Sequence, residues 1–499
     1  MGNWVDSVVS YFSPAMGAQR ARARVLHGYY SQMEKRSYEG ASTRRRMENW
    51  NTAGTSADAA LKGSLDRLRA RSHDLVRNDP HANSAVERIE SEMIGVGIMG
   101  KLTHPKKDSQ SILSAKALWQ EWAETTACDA DGLNTFGGLQ GLITRTIVES
   151  GECLVRKRRI RVSDGPIPVQ YQVLEPDYID TLKEETLKDG GFILQGVEFD
   201  KQGRRVAYWL FPEHPGGLSI LPKSFTSQRV PASEVHHLHR VLRPGQVRGV
   251  PWFAPILVKL KDHADFSDAT LLRQKIANCF TAFVRDLENI STLPSASRDS
   301  TASPLGETMT PGQIEVLRPG EDITLANPPG PVTFSDFSRA QLQAIATGMG
   351  ISYETLTGDY SQVNFSSARM GRIREYVNIE KWRWNLVIPR AIHPMFLGFL
   401  EGAQLIRDDV DELVGARWTP PKRELTDPTR EVPAMLQSVR AGFQSLPDAI
   451  REHGFEPDEV FAEIAEANEQ LDQLSLKLDS DPRNMSRAGV YQPPPQGDE

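Results

Sequence analysis

Residues 339–385 read RAQLQAIATGMGISYETLTGDYSQVNFSSARMGRIREYVNIEKWRWN. Two helical patterns flank a polar loop here, and the arrangement decides how the rest of the chain is read. Leu342, Ile345 and Ala346 recur at helical spacing until Gly348 and Gly350, where glycine tolerates the left-handed turn that closes a helix. A second pattern begins near Ser366, a suitable N-cap, and puts Met370, Ile373, Val377 and Trp384 on one apolar stripe among Arg369, Arg372, Arg374, Glu375 and Lys381. Pro389 lacks a backbone donor and should end or kink that helix. The intervening residues, 356–367, are rich in side chains that hydrogen-bond their own backbone. No base stands beside a nucleophile, so the loop reads as a shaped contact surface and not a reaction centre.

Further words extend the pattern outward: SADAALKGSLDRLRARSHDLVRNDPHA at 56–82, RVPASEVHHLHR at 229–240 and RPGQVRGVPWFAPIL at 243–257. Together with YETLTGDYSQVNFSSAR, and in this order, they resemble the lambda-type portal proteins of tailed bacteriophages across roughly residues 50–480. The resemblance implies an α+β portal fold with a wing, a stem of long helices, a small clip and a helical crown. It implies a ring of identical subunits, usually twelve, at one capsid vertex, through which double-stranded DNA passes without sequence readout. The implied partners are other copies of the chain, the terminase motor, the major capsid and scaffold proteins, and later the neck or head-completion proteins. No cofactor, no metal and no catalytic residue are expected.

Bulk properties fit such a protein. A chain of 499 residues is long enough for several domains, and 25% charged residues with a mean hydropathy of −0.42 are ordinary for a globular protein. No apolar run reaches the roughly 20 residues of a membrane span. The start, MGNWVDSVVSYFSPAMGA, lacks the basic and apolar regions of a secretory signal, so cytosolic synthesis is expected; residence in the virion, after synthesis in a host cytoplasm, is what the resemblance implies. Cys128, Cys153 and Cys279 are too few and too dispersed for a disulfide or zinc framework.

The net charge of −7 argues against a protein that grips DNA by neutralising phosphates. Its distribution is uneven. Residues 1–50 carry eight Lys or Arg against four acids, whereas 448–499 carry thirteen acids against four bases. Repeated around a ring, an acidic crown would keep a passing duplex from sticking.

Along the chain, 1–55 reads as an arm that packs on a neighbour. Residues 56–250 read as the wing, first helical (Leu61, Leu65, Leu68 and Leu75 on one face, ending before Pro80) and then, from 151 to 240, mainly antiparallel strands. GVGIMG at 95–100 matches G-x-G-x-x-G, yet a helix precedes it and no helix follows, so it reads as a helix exit and not a nucleotide site. In HHLHR, His237 and His239 share one strand face, and no carboxylate or cysteine cluster lies at ligand spacing nearby. These read as ordinary polar or buried histidines.

A long helix is predicted from Trp252 to about Arg285, the first stem helix at 251–287. Asp262, Asp265 and Asp268 on it would face Arg273, Lys275 and Arg285 of a neighbour. Residues 288–334 read as a flexible polar loop and short strands at 314–317 and 323–325, which the resemblance makes the clip. Ile314, Val316, Arg318, Glu321 and Ile323 are its partner-docking candidates, and pairing across subunits would cover the strand edges. Residues 335–350 then form the second stem helix and 351–367 the tunnel loop, where Tyr360, Gln362, Asn364 and Phe365 are candidates for weak, register-free DNA contact. A long wing helix follows at 368–425, a helical crown at 426–479 and a disordered tail at 480–499.

Two other readings compete. An enzyme or ATP-driven motor would need machinery such as G-x-x-x-x-G-K-[ST], H-E-x-x-H or G-x-S-x-G, none of which occurs. A different capsid or neck component would sit away from the portal vertex and conduct no DNA.

Overall fold

The computed structural model describes residues 54–106, 110–217, 226–278, 282–286, 321–325, 334–421 and 427–476, with Leu478 and Arg483. The expected arm, Ile314, Val316, Arg318 and nearly all of the tail lie outside these residues.

Helix α1 (Leu65–Asn78) ends where Asp79 turns the chain into α2 (Pro80–Met93). The Asp79 carboxylate accepts from the amides of His81 and Ala82, and Pro80 occupies a first-turn position where its missing donor costs nothing. Leu61 does not join α1: it closes a separate short helix, Ala57–Leu61. After β1 (Met99–Thr103) come α3 (Gln110–Ala123) and α4 (Phe136–Ser150). Helix α4 stops at Gly151, whose left-handed φ of 87° and close approach to the Val250 carbonyl carbon leave no space for a Cβ.

The β-rich region forms two antiparallel sheets. The first has the order β3 (Val169–Leu174), β2 (Glu152–Arg159), β9 (Val235–His239), with Cys153 opposite Leu238 and Arg156 opposite Gln172. The second runs β4 (Glu185–Thr186), β5 (Phe192–Leu194), β6 (Val197–Phe199), β7 (Arg205–Leu210), β8 (Gln228–Pro231) and buries Leu174, Val197, Tyr208 and Val230 in a small core of its own. The main core lies between the helices and the first sheet. Trp119, Trp122, Phe136, Phe396 and Phe399 pack edge-on, tilted or stacked there, with Trp119 and Phe399 4.9 Å apart between ring centres, and the Trp122 indole donates to the Val169 carbonyl.

The stem and clip expectations need correction. Helix α5 covers Leu257–Asn278 only, and the chain continues as β10 (Ala282–Asp286). Ala282, Phe283 and Val284 follow the helix as a β-prone triplet, and β10 pairs antiparallel with β11 (Glu321–Leu325) in the same chain. Arg285 stands opposite Asp322, and Ile323 opposite Val284, so the edge of β11 is paired internally on this side instead of across subunits.

Helix α6 (Phe334–Met349) leads to a short α7 (Tyr353–Thr357) and then α8 (Phe365–Trp382). Asn364, not Ser366, caps α8, accepting from the Ser367 amide at 2.9 Å. Nor does Pro389 end the helix. Residues Arg383–Ile392 widen into π-helix, and α9 (His393–Ile406) continues from it. A π-turn bonds each amide to the fifth carbonyl back, as His393 does to Ile388, and so accommodates a residue that cannot donate. Strand β12 (Gly415–Thr419) pairs with β1, and α10 (Pro428–Arg440), α11 (Leu446–Glu452) and α12 (Pro457–Gln473) follow. Among the described residues no helix is long and apolar enough to cross a membrane.

Candidate functional site

The polar loop is held at its base and open at its tip. Ser352 caps α7 through the Thr355 amide, and the Thr355 hydroxyl donates 2.7 Å to Glu375 on α8. Burial raises the Glu375 carboxyl above its ordinary range despite that bond. From α6, Arg339 lies over the Tyr353 ring at 5.2 Å and within 3.5 Å of Asp359, while the Tyr353 hydroxyl donates to Asp359. Asp359 also accepts from the Ser361 amide and hydroxyl, and these bonds hold its carboxyl below the usual value. Asn378 donates to the Gly350 carbonyl and Ser84 to that of Leu356. Beyond these anchors, Tyr360 is 60% exposed and Gln362 is exposed. Asn364 is exposed but is occupied as the α8 cap, and Phe365 begins that helix.

The stem candidates are divided by the structure. Asp262, Asp265, Asp268, Arg273 and Lys275 are exposed on α5. Asp265 pairs within its own helix to Lys261 at 2.7 Å, a partner the sequence reading missed although i,i+4 spacing signals it. Arg285 is separated from this group by the helix end. Glu321 and Ile323 lie on β11, with Glu321 opposite Asp286.

The words quoted from 229–257 meet at a buried clamp that sequence spacing did not reveal. Glu152, at the start of β2, receives the Arg248 guanidinium at 2.6 and 3.0 Å, the Gly249 amide at 2.7 Å and His237 Nε2 at 2.9 Å. Arg205 donates to His237 Nδ1, which assigns the remaining ring proton to Nε2. Burial alone would raise the Glu152 carboxyl, but Arg248 and His237 outweigh it and hold the group well below the carboxylate range. Burial pushes His236 and His237 down to about 4 and His239 to about 2.

A carboxylate thus does lie beside the histidines: Glu152, His237 and His239 could converge on one ion. The donor set does not suit a cation. Both Glu152 oxygens and both His237 nitrogens are taken by Arg248, Gly249, Arg205 and one another, and two guanidiniums flank the group. The arrangement acts as a structural clamp between the 243–251 turn and the sheet. Next to it, Arg240 lies over Trp252 at 4.0 Å and Trp382 at 5.8 Å, and Arg390 donates to the His239 carbonyl. The only sequence hint of this junction was a charged residue, Glu152 or Arg248, inside an apolar run.

A second buried cation explains GVGIMG. Arg383 donates to the carbonyls of Glu92 and Met93, the open end of α2, at 2.7 and 2.9 Å. Gly97, with φ 129°, then lies against the Gly137 backbone. The motif is a helix exit with no phosphate cradle.

Residues 43–383 match the family described as phage portal protein, lambda family. The chain belongs to that family. The probable portal protein of Halomonas phage phiHAP-1 is 26% identical over 458 residues, covering 88% of each chain, and portal protein B of Escherichia phage lambda is 23% identical, covering 84% of this chain and 86% of its own. Among solved structures, a chain from the virion of a native gene transfer agent particle aligns with 14% identity and a TM-score of 0.45, covering 81% of this chain and 97% of that one. The lambda-family resemblance therefore holds over residues 43–383, and the relatives extend it to 84–88% of the chain. The proteins of this family are structural parts of the virion.

Proposed function

We propose that this chain is the repeating subunit of a ring at one capsid vertex that conducts double-stranded DNA during packaging and ejection. The observation that carries the reading is the loop at 358–364. Its base is tied to α6, α7 and α8 by Arg339, Tyr353, Asp359 and Asn364, while its tip presents Tyr360 and Gln362. Such a tip offers weak polar and stacking contact with no cationic grip, as a surface that must let DNA slide requires.

In this reading 56–250 is the wing, α5 and α6 are the stem, the region around β10 and β11 is the clip, 351–367 is the tunnel loop and 426–479 is the crown. Terminase docks first and neck or head-completion proteins later, with the capsid and scaffold proteins around the wing. The role is mechanical, and no reaction is assigned.

Negative-stain electron microscopy of the purified chain tests the reading. Rings with a central hole are expected. Monomers and dimers alone at high protein concentration would overturn it.

A further inference from the structure

Among the described residues, two helical faces carry exposed apolar groups and charges of opposite sign. On α8 and the turn beyond it, Met370 (60% exposed), Val377 (63%) and Trp384 (44%) recur every seven residues, with Arg374 and Lys381 between them on the same face. On α5, Val258 (71%) and Leu272 (59%) lie on one face with Asp262 and Asp265, and Asp268 borders it. Among the described residues, Arg374, Lys381, Asp262 and Asp268 make no ion pair. The two cations stand roughly 10 Å apart along their helix and Asp262 and Asp268 roughly 9 Å along theirs, at 1.5 Å of rise per residue. Val258 and Leu272 lie seven residues to either side of Asp265, as Met370 and Trp384 do of Val377, so the charges can meet in register while the apolar residues pack at the two ends.

We infer that these two faces are the two halves of one interface: α8 of one subunit docks on α5 of the next copy. A closed ring needs such a pair. Its interface is head-to-tail, so each copy must present two different, complementary patches instead of one self-complementary patch. The seven-residue spacing along both helices, Met370, Val377 and Trp384 on one and Val258, Asp265 and Leu272 on the other, suits shallow-angle packing with side chains interdigitating along the contact. The paired charges add register and discourage the wrong mating of α8 with α8 or α5 with α5. This inference rests on the ring proposed above and names which surfaces build it.

The test uses full-length chains and native mass spectrometry. Variant one is Arg374→Glu with Lys381→Glu. Variant two is Asp262→Lys with Asp268→Lys. Each alone opposes like charges at every contact, and ring yield should fall by about tenfold or more. An equimolar mixture restores opposite charges at every junction only if the two kinds of subunit alternate, so rings should return with equal numbers of each. Undiminished rings from either variant alone, or no recovery in the mixture of variants whose melting is unchanged, would overturn the inference. Should a charge variant fail to fold, Leu272→Cys combined in turn with Met370→Cys and with Trp384→Cys, the residues it meets for antiparallel and parallel helices, decides the matter in the otherwise unaltered chain. Oxidation of one of the two pairs should yield a ladder of linked subunits that no single cysteine variant gives, and absence of the ladder from intact rings of both would overturn it. Failure of the unaltered chain to form rings would instead defeat the functional proposal.

Discussion

The clamp around Glu152 and the helices α5 and α8 treat charge in opposite ways. In the clamp the charged groups are partnered inside the same chain: Glu152 and Arg248 are fully buried and share three contacts, and Arg205 donates to His237 and the Val247 carbonyl. On α5 and α8 the charges and several large apolar side chains look outward. Helices α10 to α12 repeat the second pattern. Helix α10 buries no residue, and Val432, Leu436, Phe443 and Phe461 are exposed, Phe443 at 88%. Three helices that bury so little cannot stabilise one another. The junction at Glu152 is complete within the chain, whereas the apolar faces of α5, α8 and α10 to α12 look outward.

The largest effect should come from breaking the complete region. Glu152→Ala leaves Arg248 buried without a counter-ion, and the loss of stability should be about 3–5 kcal/mol, read from the denaturant midpoint. A midpoint close to that of the parent chain would mean that water or another acid reaches Arg248. Arg383→Met removes the donors from the end of α2 and should cost about 2–4 kcal/mol, again seen in denaturation.

Acidification should act on the same side of the comparison. His236 and His237 stay neutral in the fold down to about 4, but the unfolded chain protonates them near their ordinary value of about 6.5. In that window the unfolded state binds more protons, so stability rises with pH and falls as pH drops from about 6.5 toward about 4. Replacing His236 by Gln should flatten part of that slope in a pH series of thermal melts. An unchanged slope would place the proton uptake elsewhere.

The smallest effect concerns the loop. Asp359→Asn weakens the anchors to Arg339, Tyr353 and Ser361, so amide exchange at 358–364 should speed up several-fold while global stability moves by less than about 0.5 kcal/mol. A large loss of stability would show that the loop belongs to the core after all.

What the sequence made legible follows the same division. Helix periodicity foretold α2, α6, the α6–α8 loop and α1 as far as Asn78, because that signal is local, but not the break after Leu61. The end of α5 was missed because the helical count ran on through Ala282–Asp286, where only the distant β11 reveals a strand. Asn364 was passed over for Ser366 since both can cap, and only backbone geometry separates them. The stripe Met370, Ile373, Val377 and Trp384 was recognised, yet periodicity alone cannot say whether an apolar face meets its own core or another copy. The clamp was invisible for a different reason: Glu152 and Arg248 lie 96 residues apart, and no spacing rule connects them.

Hydrogen exchange of assembled rings against dissociated subunits tests the central claim most directly. Protection should rise on assembly along α5, α8 and the crown helices α10–α12, and stay unchanged across β2, β3 and β9. Protection that rises in the β2 sheet instead, or leaves α8 as open as in the free subunit, would contradict the account.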